Sequence, residues 1–297
     1  MPSALDNLLN TFNLERIERN IYRGVSPKVG WQRVFGGHVI CQALLAAQET
    51  VDKERHVHSL HGYFMRPGDP ENPIIYNVDR IRDGGSFTTR RVVAIQHGEA
   101  IFSMSLSFQK LEEGLEHQIE MPDVPLPDQL PSESDLLKKM GDTLPDNVRA
   151  YLERERPIEL RAVDMTHYFS SKKLDPVQNI WMRTNGSAPK DYLIQNALLA
   201  YASDMTLLDT SLFAHGKAVA DPSLQVASLD HSMWFHQPFD MSEWHLYSQD
   251  SPRSSGGRGL SRGSIYNLKG ELVASCAQEG LIRPRKSGKR VVKTSHG

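Results

Sequence analysis

The sequence predicts an α+β fold: two tandem domains, each a central helix wrapped by an antiparallel sheet. Three observations carry this. The apolar run Ala43-Leu44-Leu45-Ala46-Ala47 is echoed by Ala197-Leu198-Leu199-Ala200-Tyr201. Strand-like segments separated by turns follow each run. The turns recur as well: Arg82-Asp83-Gly84-Gly85-Ser86 is echoed by Ser254-Ser255-Gly256-Gly257-Arg258, and Gly98-Glu99-Ala100-Ile101-Phe102 by Gly270-Glu271-Leu272-Val273-Ala274. Two copies of one helix-then-sheet unit argue for like domains side by side.

In chain order, residues 1–20 read as a polar helical lead-in. Phe35-Gly36-Gly37-His38 opens an apolar segment, Val39 to Val51. Apolar nearly all round, it predicts a buried helix. The glycines just before it allow close backbone approach, and helix N-terminal amides can face a negative atom. Strands are expected at His56–Arg66, Pro73–Arg82, Ser86–His97 and Ala100–Gln109, with turns at His97-Gly98-Glu99 and Arg66-Pro67-Gly68-Asp69-Pro70. From Glu112 to about Pro145, prolines 122, 125, 127 and 131 among acidic residues predict an exposed connector, with a short helix at Ser134–Met140. The second half repeats the plan: a strand at Gln178–Thr184, a helix over Asp191–Leu208, then strands at Gln225–His236, Trp244–Gln249, Gly259–Asn267 and Glu271–Ile282. This is the double hotdog layout, with domains at 1–111 and 151–283, the connector at 112–150 and a basic tail at 284–297. The tail's basic residues, from Arg285 to Lys293, read as a solvated terminus rather than a phosphate contact.

Composition narrows the function. With 34 basic and 36 acidic residues the formal net charge is −2, which argues against nucleic-acid binding. No apolar run reaches the length of a membrane span, and the N-terminus lacks a secretory pattern. Cys41 and Cys276, each in an apolar context, read as reduced core residues, so a cytoplasmic location is expected. His56, His58 and His61 lack an accompanying ligand set, and no metal is expected. Neither glycine pair fits a phosphate-loop or dinucleotide pattern.

Three polar residues of the second half stand out. Asp204 lies in the apolar helix, where an unpaired carboxylate is costly. Ser228 opens a strand on which Ser228, Asp230, Ser232 and His236 share one face, with Trp234 among them, opposite Ala227, Leu229, Met233 and Phe235. Gln278 lies on an otherwise apolar last strand. An acid, a hydroxyl and an amide can hold one water between them. The same three can equally form a structural network around a buried aspartate. Ser228 lacks a nucleophile elbow, which argues against a serine hydrolase.

Phe35-Gly36-Gly37, Val57-His58-Ser59-Leu60-His61, Arg66-Pro67-Gly68-Asp69-Pro70, Leu229-Asp230-His231-Ser232-Met233-Trp234-Phe235-His236 and Gln278-Glu279-Gly280 together resemble acyl-CoA thioesterase II, from about residue 10 to 283. The resemblance implies a double hotdog chain that self-associates as a dimer or tetramer and needs no cofactor. It implies hydrolysis of medium- to long-chain acyl-CoA to fatty acid and coenzyme A. The family's catalytic aspartate, serine or threonine, and glutamine fall on Asp204, Ser228 and Gln278. Backbone amides at Gly36 or Gly37 are candidate oxyanion donors, and Arg258 a candidate coenzyme A phosphate contact. The chain ends Thr294-Ser295-His296-Gly297, without the Ser-Lys-Leu signal of peroxisomal relatives. Two other readings are an enoyl-CoA hydratase or dehydratase and a non-catalytic acyl-CoA binding module. Asp230 and His231, on opposite strand faces, argue against the first.

Overall fold

A single antiparallel sheet runs through both halves of the chain. The structure, a computed structural model, describes residues 2–27, 32–140, 149 and 153–285. The first half comprises α1 (Ala4–Asn10), β1 (Glu15–Glu18), β2 (Ile21–Gly24), α2 (Gly36–Gln48), β3 (Arg55–Phe64), β4 (Ile74–Asp83), β5 (Phe87–Gln96) and β6 (Glu99–Lys110). A 3-10 turn (Pro127–Gln129) and α3 (Glu133–Met140) follow. The second half comprises β7 (Ile158–Ala162), α4 (Thr166–Phe169), β8 (Val177–Thr184), α5 (Tyr192–Ser203), α6 (Thr210–Phe213), β9 (Leu224–Ser228), β10 (Asp230–Phe235), β11 (His245–Ser255), β12 (Arg258–Asn267) and β13 (Leu272–Pro284).

The strand order is β1-β2-β4-β5-β6-β3-β10-β13-β12-β11-β8-β7, with β9 also paired to β13. The halves join where β10 pairs β3, His61 lying opposite Ser232 and Leu60 opposite Met233. The sheet is thus continuous, and the two central helices α2 and α5 pack on one another. Ala43, Ala46 and Ala47 of α2 and Ala197 and Ala200 of α5 are fully buried. Small side chains let two such helices approach closely while their leucines fill the core.

Four sequence expectations change. The stretch 1–20 is not one helix: α1 ends at Asn10, and a hairpin edge follows through Asn20 at φ 65°. β1 is exposed throughout, so it lacks the alternation that marks a half-buried strand. The first central helix begins at Gly36, with Phe35 as its N-cap, so the glycines form its first turn. The second ends at Ser203, leaving Asp204 as its C-cap rather than inside it. The Gln225–His236 strand is broken at Leu229. Ser228 pairs Gly280 but Ser232 pairs Ala277, one residue out of step, a β-bulge. An extra residue reverses the facing of everything beyond it. Ser228 therefore turns inward together with His231, Met233 and Phe235, while Asp230, Ser232 and Trp234 face out. β7, α4 and α6 carry no signal strong enough to be read from the sequence. Residues 141–148 and 150 of the connector and 286–297 of the tail lie outside the described residues.

Where α2 ends, the buried Arg90 takes over the hydrogen bonding. It donates from Nε to Thr50 Oγ1 at 2.8 Å and from Nη2 to the Thr50 carbonyl at 3.0 Å. Nη1 reaches the carbonyls of Arg82 and Thr89, and Nη2 pairs with Asp83. A cation here also suits the negative end of the helix dipole. Arg90→Met should strand these carbonyls and cost about 1–3 kcal/mol, read by denaturant unfolding. A loss below about 1 kcal/mol would show that water substitutes for the guanidinium.

Candidate active site

Three elements each deliver one polar side chain to a single buried point. Gln278 lies on the inward face of β13, in phase with Cys276 and Gly280. Ser228 is the last residue of β9, turned inward ahead of the bulge. Asp204 follows the last turn of α5. Gln278 Nε2 donates to Asp204 Oδ1 at 2.9 Å and to Ser228 Oγ at 2.5 Å. The Ser228 hydroxyl points at Asp204 Oδ1 from 3.5 Å, a long contact at the limit of a hydrogen bond.

The fourth contributor comes from the other half. The Gly37 amide, in the first turn of α2, faces the Asp204 carboxylate and favours its charged form. A Cβ on Gly36 would meet Asp204 Oδ2 at 2.5 Å, and one on Gly37 would meet the Tyr201 carbonyl at 2.4 Å. Only glycine lets the start of α2 abut the end of α5 this closely. Burial pushes the Asp204 carboxyl up to about 6, against the opposing bonds from Gln278, Gly37 and Ser228. A carboxylate so placed can accept a proton near neutral pH.

A cavity of about 530 Å³ is lined by the residues that flank Gly36 and Asp204 in the chain, Phe35 and Met205, though by none of Asp204, Ser228 and Gln278 themselves. Phe35, Tyr201 and Met205 line it, with Leu8, Val34 and Pro157, and Arg33, Arg154 and Arg156 add positive charge. Phe35 and Tyr201 stack edge-on at 5.0 Å. Sequence reasoning did not find this lining, because its residues come from segments far apart in the chain.

Arg258 is not brought to the triad. Its Nε donates to Glu279 Oε1 at 2.8 Å, and Glu279 alternates with the inward Gln278. The histidines of β3 pack against aromatic rings: His56 on Tyr192, His58 on Phe87 and His61 on Trp234. Among the described residues no three potential metal ligands cluster.

The internal repeat shows what the other half does with the same positions. The apolar helix runs align Asp204 with Thr50. β3 has its own bulge, Val57 pairing Phe108 but Ser59 pairing Ser107. That aligns Ser228 with Val57 and, by strand register, Gln278 with Leu106. The first half thus replaces acid, hydroxyl and amide by Thr50, Val57 and Leu106, and Arg90 seals the end of its helix. Among the described residues the triad's constellation occurs once per chain.

The Asp204 carboxyl has a higher pKa folded, about 6, than its ordinary 3.8. Its charged form is therefore disfavoured by folding, a cost present above pH 6 and gone below pH 4. Asp204→Asn should stabilise the protein at pH 8 by up to about 3 kcal/mol, and the gain should fade as pH falls from 6 to 4. Melting curves across that range test it; a gain independent of pH would contradict it.

Comparison with known proteins places this geometry. Residues 148–281 match the family model described as acyl-CoA thioesterase, and residues 25–109 the one described as acyl-CoA thioesterase N-terminal domain. The chain is 43% identical to acyl-CoA thioesterase 2 of Haemophilus influenzae, covering 95% of this chain and 99% of that one. It is 38% identical to human acyl-coenzyme A thioesterase 8, covering 95% and 91%. The crystal structure of an acyl-CoA thioesterase II, TesB2, from Mycobacterium marinum superposes with a TM-score of 0.78 at 42% identity, over 94% of this chain and 99% of that one. On these full-length likenesses, the chain belongs to the acyl-CoA thioesterase family with the double hotdog fold.

Proposed function

We propose that this thioesterase hydrolyses medium- to long-chain acyl-CoA with a water held by Asp204, Ser228 and Gln278. The observation that supports this most is the Gln278 carboxamide, which bonds Asp204 and Ser228 at once. Asp204 takes a proton from the water as its oxygen attacks the thioester carbonyl. The carbon–sulfur bond of the tetrahedral adduct then breaks. The thiolate leaves as coenzyme A, taking up the proton that Asp204 acquired, and fatty acid remains. No covalent enzyme intermediate forms.

The oxyanion donor is a backbone amide of Gly36 or Gly37, at the start of α2. Gly36 occupies the first helical position, whose amide has no partner within the helix. Loss of such a donor typically costs about 3 kcal/mol. The acyl chain occupies the cavity lined by Phe35, Tyr201 and Met205. Arg258, half exposed beside Glu279, is the coenzyme A phosphate contact in this scheme. Location in the cytoplasm and self-association complete it. Buried, unpaired Cys41 and Cys276 suit a reducing compartment, and Tyr63 and Trp234, exposed on the outer face at the seam, suit a subunit contact. Against a hydratase, Asp230 accepts the Glu279 amide on the outer face while His231 is buried inside, so the two do not act as a pair.

Release of free thiol from palmitoyl-CoA, followed with a thiol reagent, tests the reaction: hydrolysis yields thiol, whereas hydration or binding alone yields none. Asp204→Asn should lower turnover at least about a hundredfold, with the fold intact by circular dichroism; unchanged turnover would remove Asp204 from the mechanism. Wild-type kcat/KM should rise with pH through an apparent pKa of about 6, the form that loses its proton being the active one. Ser228→Thr, which keeps the hydroxyl, should retain most activity, and Ser228→Ala should lose about tenfold or more.

A further inference from the structure

The bulge at Leu229 turns one more side chain inward. His231 is fully buried, on the same side of the sheet as the triad, and the hydrolysis outlined above gives it no part. Its Nε2 lies 2.9 Å from Ser203 Oγ, on the residue just before Asp204. Its other nitrogen, Nδ1, is buried without a close hydrogen-bond partner, and so is Oε1 of Gln278. Ser232 pairs with Ala277, so the next positions along the two strands, His231 and Gln278, are cross-strand neighbours, and both are buried on the inward face. The two unmatched atoms are therefore complementary.

Resting on the hydrolytic reading of the triad, we propose that His231 is a positioning residue that locks the Gln278 carboxamide. Neutral His231 carries its proton on Nδ1 and gives it to Gln278 Oε1. Nε2 then accepts from the Ser203 hydroxyl, which turns from the Ala200 carbonyl 3.0 Å away. With Oε1 held, both N–H groups of Gln278 must point at Asp204 and Ser228. The flipped amide would set its oxygen against a carboxylate and its NH2 against the Nδ1 donor. The other tautomer would place a bare Nδ1 lone pair against Oε1, leaving both atoms unsatisfied in a dry site. Burial holds the imidazole down to about 4, so it stays neutral wherever Asp204 is ionised.

The test compares kcat and KM in His231→Leu, which removes the donor, and His231→Asn, whose amide nitrogen replaces Nδ1. The leucine variant should lose on the order of tenfold to a hundredfold in kcat, as when partners that orient a reacting group are removed, with KM within about twofold. The asparagine variant should recover most of that loss. His231→Leu added to Gln278→Leu should cost nothing further, because the histidine acts only through the amide. Equal impairment of the leucine and asparagine variants, an effect confined to KM, or full additivity would overturn the proposal. If His231→Leu fails to fold, Ser203→Ala, which frees the tautomer, carries the test through a kcat loss of a few fold; wild-type kcat there would count against it. Should Gln278→Leu alone keep wild-type kcat, the hydrolytic reading fails. If that variant is inactive but the His231 variants are normal, only the positioning role fails.

Discussion

Two helix ends meet at the site, and the rest of the arrangement depends on that contact. The start of α2 abuts the end of α5 because residues 36 and 37 carry no side chains to hold them apart. Asp204 sits in the junction. As the C-cap of α5 it lies at the negative end of one helix dipole, which disfavours its charge; the first amides of α2 favour it. Loss of water around the buried carboxylate acts with the first and outweighs the second, and the balance leaves a carboxyl that titrates near neutrality. Moved a turn back into α5, the same aspartate would be without the Gly37 amide and out of reach of β13.

The contact draws on both copies of the repeat. The triad side chains all belong to the second half, yet the backbone that supports the acid belongs to the first. The continuous sheet, joined through β3 and β10, fixes the two helices relative to each other. The first half lacks the equivalent polar groups: Val57 and Leu106 are apolar, and Arg90 closes the corresponding helix end. One copy thus presents a helix start, and the other carries the acid, the hydroxyl and the amide.

The fold was largely legible because its signals are local and repeated. Apolar helices, alternating strands and glycine turns recur in the same order, and each central helix and most strands lie within a few residues of expectation. The misread parts have specific causes. The hairpin of β1 and β2 is an exposed edge without alternation. Asp204 looks helical because the apolar stripe continues past it through Leu207 and Leu208. Strand periodicity misplaces Ser228 because a bulge inserts one residue without any compositional mark.

From residue types alone, the sequence determined the tandem plan, the buried helices and the presence of an acid, a hydroxyl and an amide in apolar surroundings. Resemblance supplied the family. Only the tertiary structure decided that these three groups meet, that the start of α2 closes on Asp204, that Arg258 faces away towards Glu279, and that His231 is inside with Gln278. The physical reason is that periodicity reports which side of its own element a residue occupies. Bulge register, the angle between helix ends and the closeness of two backbones depend on packing between segments far apart in the chain, and these set which groups share a hydrogen bond.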